Sequence, residues 1–289
     1  MDILVNGVLL GMGYCLIAVG LALIWGVAKV IDLVYGSYGI IAAYVVVILI
    51  AGMGTGFPIW LISIIGLAAV VGIALVIYNF LILPVRKQPD VVLVTTIALS
   101  LVIQELLIFK EGSEPVYLPA LLTGTANILG VWTTGQKLLM AGVNIGIMAL
   151  LWVFLTGTKL GLAIRATAEQ PEAMQLAGGN IKGIFLLAAS LAAFIGGIGG
   201  LLLSPIIPPH PLAWGDLVII AFAVIMLGGL GNLWGCLPAG LILGISEVAI
   251  AIYVPHGGII KRTVGLMIIF IVLVFRPTGL FGVKGWEEV

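Results

Sequence analysis

The stretch Ile59–Leu83 reads IWLISIIGLAAVVGIALVIYNFLIL and contains no charged side chain over its 25 residues. A helix needs about 20 apolar residues to cross the hydrocarbon core of a bilayer, which is about 30 Å thick. The stretch lacks the alternation of apolar and polar residues that marks a membrane β-strand. It therefore predicts a membrane-spanning α-helix.

Similar apolar runs recur on both sides of this stretch. They cover residues 3–25, 36–53, 91–109, 137–156, 183–203, 217–231, 237–254 and 263–275. The last three are shorter, and glycines between 228 and 235 interrupt their region. Because no basic region precedes the first run, we expect a retained helix rather than a cleaved signal peptide. The sequence predicts an all-α polytopic membrane protein, with eight to ten crossing or re-entrant helices in one transmembrane domain, residues 1–289.

The composition supports a lipid environment. The chain is 62% hydrophobic and 8% charged, whereas soluble domains carry about 25% charged residues. Its 12 basic and 12 acidic residues give zero net charge, which argues against nucleic acid as a partner. Cys15 and Cys236 lie in apolar runs, so we expect no structural disulfide. His210 and His256 have no His or Cys at ligand spacing, so we expect no metal site.

The basic residues predict the orientation of the chain. Loops 84–90 and 157–182 together hold five of the 12, namely Arg86, Lys87, Lys159, Arg165 and Lys182. Because cytoplasmic loops are enriched in Lys and Arg, both loops are predicted inside and the N-terminus outside. Nine crossings would place Lys261 and Arg262 outside, against the same rule.

One segment of the second loop has the features of short, capped helices. Gly161–Gly179 reads GLAIRATAEQPEAMQLAGG. Thr167 and Gln170 have the spacing of a capping box, Pro171 suits a first helical position, and Gly178 suits a left-handed helix end. The segment is predicted to be either a docking site for another protein or a plain connecting loop.

Two further interruptions of apolar sequence stand near opposite ends of the chain. They are Leu33–Gly39, LVYGSYG, and Leu227–Gly235, LGGLGNLWG. Interrupted helices at corresponding places in two halves can mark a transport pathway. The alternative is that both are ordinary tight turns between helices.

Several motifs, in order, resemble those of one family. Glu172–Gly178, EAMQLAG, is similar to the EAA-x-x-x-G coupling signature of ABC importer permeases, with Met174 in place of alanine. The chain as a whole resembles the branched-chain amino-acid permeases of the LivH/LivM type, and its length resembles the LivH subunit. Asp32 and Tyr35 stand where that family usually has Asn and His. The other matching segments are Gly161–Ala168, Gly20–Tyr38, Leu227–Gly235, Pro238–Glu247 and Arg276–Gly282.

The resemblance implies an ATP-driven importer. Its expected partners are a second permease (LivM-like, or a second copy), two cytoplasmic ATP-binding subunits and a periplasmic substrate-binding protein. ATP and Mg²⁺ would bind the ATPase subunits, because this chain has no Gly-x-x-x-x-Gly-Lys-Ser/Thr motif. Contact with the ATPases would fall to Arg165, Glu169, Glu172, Ala173 and Gly178. The membrane would be the bacterial inner membrane.

Polar residues within apolar runs are candidates for the substrate pathway. On insertion scales a central Asp, Lys or Arg costs roughly 2.5–3.5 kcal/mol. The candidates are Asn6, Tyr35, Ser37, Tyr38, Gln104, Glu105, Asn232 and Glu247. Each either lines a pathway or is structural; Gln104 and Ser246 are possible partners of the neighbouring glutamates, and Asp216 is predicted to cap a helix. The alternative function, an ion-coupled transporter or channel, would need more carboxylates in the membrane.

Overall fold

A computed structural model describes residues 1–53, 58–128, 130–254, 267, 270–272, 274–276 and 278–282. Its α-helices are α1 Asp2–Ala28, α2 Tyr35–Met53, α3 Ile59–Ile77, α4 Leu83–Val85, α5 Pro89–Glu111, α6 Gly135–Gly157, α7 Lys159–Glu169, α8 Pro171–Leu176, α9 Ile181–Leu203, α10 Trp214–Gly228 and α11 Cys236–Tyr253. A π-helical turn, Tyr78–Ile82, joins α3 to α4, and a 3₁₀ turn, Pro211–Ala213, precedes α10.

The predicted all-α membrane architecture is confirmed. Within the described residues, eight helical stretches are long and apolar enough to cross a membrane. The run predicted at 217–231 lies three residues too late, because the 3₁₀ turn leads directly into α10 and Gly229, with φ 101°, ends it. Most of the ninth run, 263–275, and both Lys261 and Arg262 lie outside the described residues.

A short hairpin interrupts the predicted outer loop 110–136. Strands β1, Thr125–Ile128, and β2, Val131–Thr134, pair antiparallel. Gly130 lies in the turn with φ 84° and donates its N–H to the Asn127 side chain. The sequence analysis missed this hairpin because each strand has only four residues, too few for a clear alternating pattern.

Helix α1 runs through the centre of the bundle and antiparallel to both α9 and α11. Gly13 lies beside Leu203 and Gly20 beside Ala192, so α1 and α9 run in opposite directions. On its other side, Gly11 meets the backbone of Gly240 and Gly244. These contacts leave no room for side chains, as is usual where membrane helices associate through close backbone packing.

A substitution at this contact tests the packing. A methyl group on Gly244 would meet the backbone nitrogen and Cα of Gly11, so Gly244→Ala should lower the free energy of unfolding by about 1–3 kcal/mol. Gly72→Ala is the matched control, because Gly72 lies within α3 with nothing within 4 Å of an added Cβ. Thermal unfolding in detergent should show a lower Tm for Gly244→Ala alone; equal Tm values would contradict the contact.

Candidate coupling surface and membrane pathway

Helix α7 is fixed to the membrane bundle by one buried face. Ile164 is 2% exposed and shares a hydrophobic cluster with Leu23 and Val27 of α1. Gly161 lies directly against the backbone of Phe154 and Leu155 in α6, so only glycine permits this close approach. The Thr158 hydroxyl accepts the Gly161 N–H at 2.9 Å and caps the helix. A movement of α7 would therefore act directly on α1.

The opposite face of α7 and most of α8 are exposed. The exposed set includes all five residues predicted for ATPase contact, namely Arg165, Glu169, Glu172, Ala173 and Gly178. Leu176, in the last position of α8, is 91% exposed. One exposed apolar side chain thus accompanies the five residues that the resemblance predicts for ATPase contact. We call this set together with Leu176 the coupling surface.

Two details of the local prediction are confirmed and one is wrong. Pro171 begins α8, and Gly178, with φ 82°, ends its turn while the Gly179 N–H bonds to the Met174 carbonyl at 2.9 Å. The capping box is wrong, because Thr167 lies inside α7, where its hydroxyl donates to the Ala163 carbonyl. Gln170 stands at the start of α8 instead, without a side-chain cap.

The departure from the family signature at Met174 has a structural explanation. Met174 is half-buried and packs against the cluster that contains Ile164, while its neighbours Ala173 and Gln175 are exposed. The Met174 side chain, which is larger than the alanine of the family signature, thus fills space beneath α8 and does not project from the coupling surface.

The first interruption of apolar sequence, Leu33–Gly39, lies inside the helix bundle. The Tyr35 hydroxyl donates to the carbonyl of Ile17, in the middle of α1, at 2.6 Å. Gly20 and Gly196 lie against the Tyr35 side chain. Helix α2 therefore begins deep within the bundle, and residues 29–34 lead the chain back there from the C-terminal end of α1.

Asp32 holds this interruption in place. It is 0% exposed; its Oδ1 accepts the Val34 N–H at 3.0 Å and its Oδ2 accepts the Tyr78 hydroxyl at 2.5 Å. Tyr78 lies in the π-helical turn after α3, a feature common at functional sites. The sequence analysis noted Asp32 only as a departure from the family pattern.

Two predicted pathway residues beside Asp32 carry unused polar groups. Ser37 and Tyr38 are buried, and their hydroxyls have no hydrogen-bond partner among the described residues. The ring of Tyr38 meets that of Tyr35 edge-on, with centroids 6.0 Å apart. Buried polar atoms are usually paired, so these two hydroxyls are available to a transported molecule or water.

The second interruption is organised by Asn232. Its Oδ1 accepts the N–H groups of Trp234 at 3.1 Å and Gly235 at 3.3 Å, and its Nδ2 donates to the Phe281 carbonyl at 2.9 Å. The side chain thus ties the turn to the C-terminal segment. Its predicted pathway role stays a prediction, while the structure assigns it this turn.

The remaining candidates lie nearer the end of the bundle that holds the N-terminus. The Asn6 Oδ1 accepts a hydrogen bond from the Lys137 ammonium group at 2.9 Å. Glu247 is 8% exposed and accepts the Tyr14 hydroxyl at 2.6 Å, while the adjacent Ser246 hydroxyl donates to the Leu243 carbonyl. The predicted pairing of Gln104 with Glu105 is present at 3.2 Å, on the outer side of α5.

One cavity lies among α2, α9 and α10, and the sequence analysis did not single it out. Gly39 and Gly200 are among its lining residues, and its polar members are Ser204, His210 and Asp216. Asp216 occupies the first turn of α10, as the prediction of a helix-start residue requires, but also faces this cavity. The proline-rich sequence around His210 was the available signal. Within the described ranges, no three His, Cys, Asp or Glu side chains gather as metal ligands.

The bond between Tyr78 and Asp32 can be tested directly. Tyr78→Phe removes a donor from a buried carboxylate, so it should lower the free energy of unfolding by about 1–3 kcal/mol. Tyr44→Phe is the control, because the buried Tyr44 hydroxyl has no partner to lose in the described structure. Thermal unfolding of both variants gives the comparison; a smaller Tm loss for Tyr78→Phe than for Tyr44→Phe would rule out the bond.

Comparison with known proteins gives a consistent result over nearly the full chain. A family model described as branched-chain amino acid transport system / permease component matches residues 3–276. The high-affinity branched-chain amino acid transport system permease protein LivH of Escherichia coli is 30% identical over 303 residues, which cover 98% of this chain and 96% of the relative.

Two other relatives agree. The permease protein BraD of Pseudomonas aeruginosa is 30% identical, covering 99% of this chain and 97% of its own. A probable LivH of Methanocaldococcus jannaschii is 28% identical, covering 95% and 90%. No solved structure matches.

These relatives do not favour the alternative of an ion-coupled transporter or channel, and they confirm the resemblance first seen in the sequence motifs. The chain belongs to the permease family of branched-chain amino-acid transport systems, most like its LivH members.

Proposed function

We propose that this chain is the membrane subunit of an importer that carries branched-chain amino acids or related small polar solutes. The transport systems to which its relatives belong support this substrate class. A second permease, LivM-like or identical, would complete the membrane unit. A periplasmic binding protein would deliver the solute, and two cytoplasmic ATPases would bind ATP and Mg²⁺. The location would be the bacterial inner membrane.

The coupling surface is the observation that carries this proposal. It lies on the same end of the bundle as Lys29, Arg86 and Lys182, since α1, α3 and α6 all end there and α9 begins there. Arg86 is also placed over the ring of Phe185 in α9, 4.2 Å from its centroid. Basic residues favour the cytoplasmic side, where ATPases would bind.

A chain of contacts supports a mechanical route from this surface to the centre. Ile164 connects α7 to Leu23 and Val27 of α1. Six residues before Leu23, the Ile17 carbonyl binds Tyr35 at the first interruption. ATP-driven movement of α7 would shift α1 against the starts of α2 and α11. The bundle would then open alternately to either side of the membrane.

The transported solute would meet few fixed charges inside this chain. The cavity among α2, α9 and α10 is lined mostly by apolar side chains, with Asp216 and His210 as its ionisable members. Apolar walls suit an aliphatic side chain, and a carboxylate suits an ammonium group. Weak contacts of this kind permit release, while the binding protein would provide selectivity.

A pair of matched charge reversals tests the coupling surface. Glu172 and Asp90 are both exposed acidic residues in the first turn of a helix that begins with proline. Reversing either charge removes a similar favourable interaction between a carboxylate and the helix dipole. If α8 contacts an ATPase, Glu172→Lys should reduce ATP-dependent uptake by roughly tenfold or more, because like charges at an interface are costly. Asp90→Lys should retain most uptake.

The measurement uses the complex purified through a tag on this chain and reconstituted in vesicles. We expect two ATPases and a second permease to co-purify, and expect Glu172→Lys to weaken recovery of the ATPases. Uptake that needs no ATPase would refute the proposed function. Equal uptake by Glu172→Lys and Asp90→Lys would refute the coupling role of α8.

A further inference from the structure

Two glutamates lie at equal distances from the ends of their helices but have opposite surroundings. Glu105 lies six residues before the end of α5 and Glu247 six residues before the end of α11. Both helices run toward the end that holds the N-terminus. Glu247 is buried and bound by Tyr14, whereas Glu105 is exposed on the outer side of the chain.

The surroundings of Glu105 are apolar. Val102, Leu106 and Phe109 share its exposed stripe on α5 and are 53%, 62% and 92% exposed. Six residues of helix correspond to about 9 Å of depth. Ionisable side chains within a membrane span almost always face protein or a water-filled cavity rather than lipid.

The carboxylate is also held in position. The Gln104 Nε2 donates to Glu105 Oε1 at 3.2 Å, and the Gln104 Oε1 accepts the Trp214 indole N–H at 2.8 Å. Trp214 stands next to Ala213, which lines the cavity among α2, α9 and α10. A carboxylate held by Gln104, which itself binds Trp214, is not the arrangement expected of a side chain dissolved in lipid.

We propose that the α5 stripe around Glu105 adjoins the second permease subunit and that Glu105 lines a water-filled path between the two. This inference rests on the proposed function, because it requires a second permease. A carboxylate in such a path attracts the ammonium group of an amino acid and repels free anions.

Labelling of a cysteine tests whether water reaches this position. In the assembled complex, the thiol of Glu105→Cys should react with a membrane-impermeant methanethiosulfonate at least about tenfold faster than that of Ile65→Cys, because a thiol in lipid does not ionise. Ile65 is the matched control, since it is exposed and lies six residues inside the outer end of α3. Cys15 and Cys236 are buried, so the unsubstituted chain is the blank.

Photo-crosslinking tests whether the second permease lies next to Glu105. Replacing Glu105 by benzoylphenylalanine should give an adduct with the second permease, and the same replacement at Ile65 should not. Fast labelling together with this adduct would support the inference. Equal labelling rates, or fast labelling without the adduct, would overturn it.

The proposed function has its own readout in the same preparation. If the second permease and the ATPases do not co-purify, the proposed function fails and this inference fails with it. Normal ATP-driven uptake with slow labelling of Glu105→Cys would overturn the inference alone.

Discussion

The hydrocarbon core of a bilayer offers no hydrogen bond to a peptide group, so every helix that ends within it must have its backbone satisfied by the protein. In this chain α2 begins inside the bundle, and a glycine-rich turn separates α10 from α11. At the first interruption Asp32 accepts the Val34 N–H, and at the second Asn232 accepts the N–H groups of Trp234 and Gly235. A buried carboxylate at the first site and a partly exposed amide at the second thus satisfy backbone groups where the helical path is interrupted.

Helix α1 connects these two sites to the rest of the molecule. Its middle carries the Ile17 carbonyl that binds Tyr35, and Cys15 lies against Gly240 near the start of α11. Its inner end carries Leu23 and Val27, which pack with α7. Helix α7 and both interruptions thus pack against the same helix.

The sequence predicted the spans well because the signal for each is long and simple. The span at Ile59–Leu83 can be predicted simply because no charged residue occurs over a length that crosses the bilayer. The coupling segment was also located, since Pro171 and Gly178 act locally. Thr167 misled because its hydroxyl has an equally good local partner in the Ala163 carbonyl, and spacing does not distinguish the two.

The candidate pathway was less predictable, because polar residues serve structure and transport alike. The bond from Tyr78 to Asp32 joins residues 46 positions apart, and the one from Tyr14 to Glu247 spans 233 positions. No local pattern encodes such pairs. Sequence alone therefore identified Glu247 as a costly residue without showing the bond from Tyr14 that offsets its cost, and it did not predict the role of Asp32.

The candidate residues divide into those that stabilise the fold and those whose polar groups are left for transport. Tyr35, Asn232, Asn6 and Glu247 each have a hydrogen-bond partner within the protein. The buried hydroxyls of Ser37 and Tyr38 have no hydrogen-bond partner in the part of the chain that the structure describes, and Glu105 displays its carboxylate on the outside. A chain whose inner polar groups mostly maintain its own fold is well suited to form one wall of a path. The opposite wall would then be supplied by another subunit, which is the arrangement that an importer with two permeases requires.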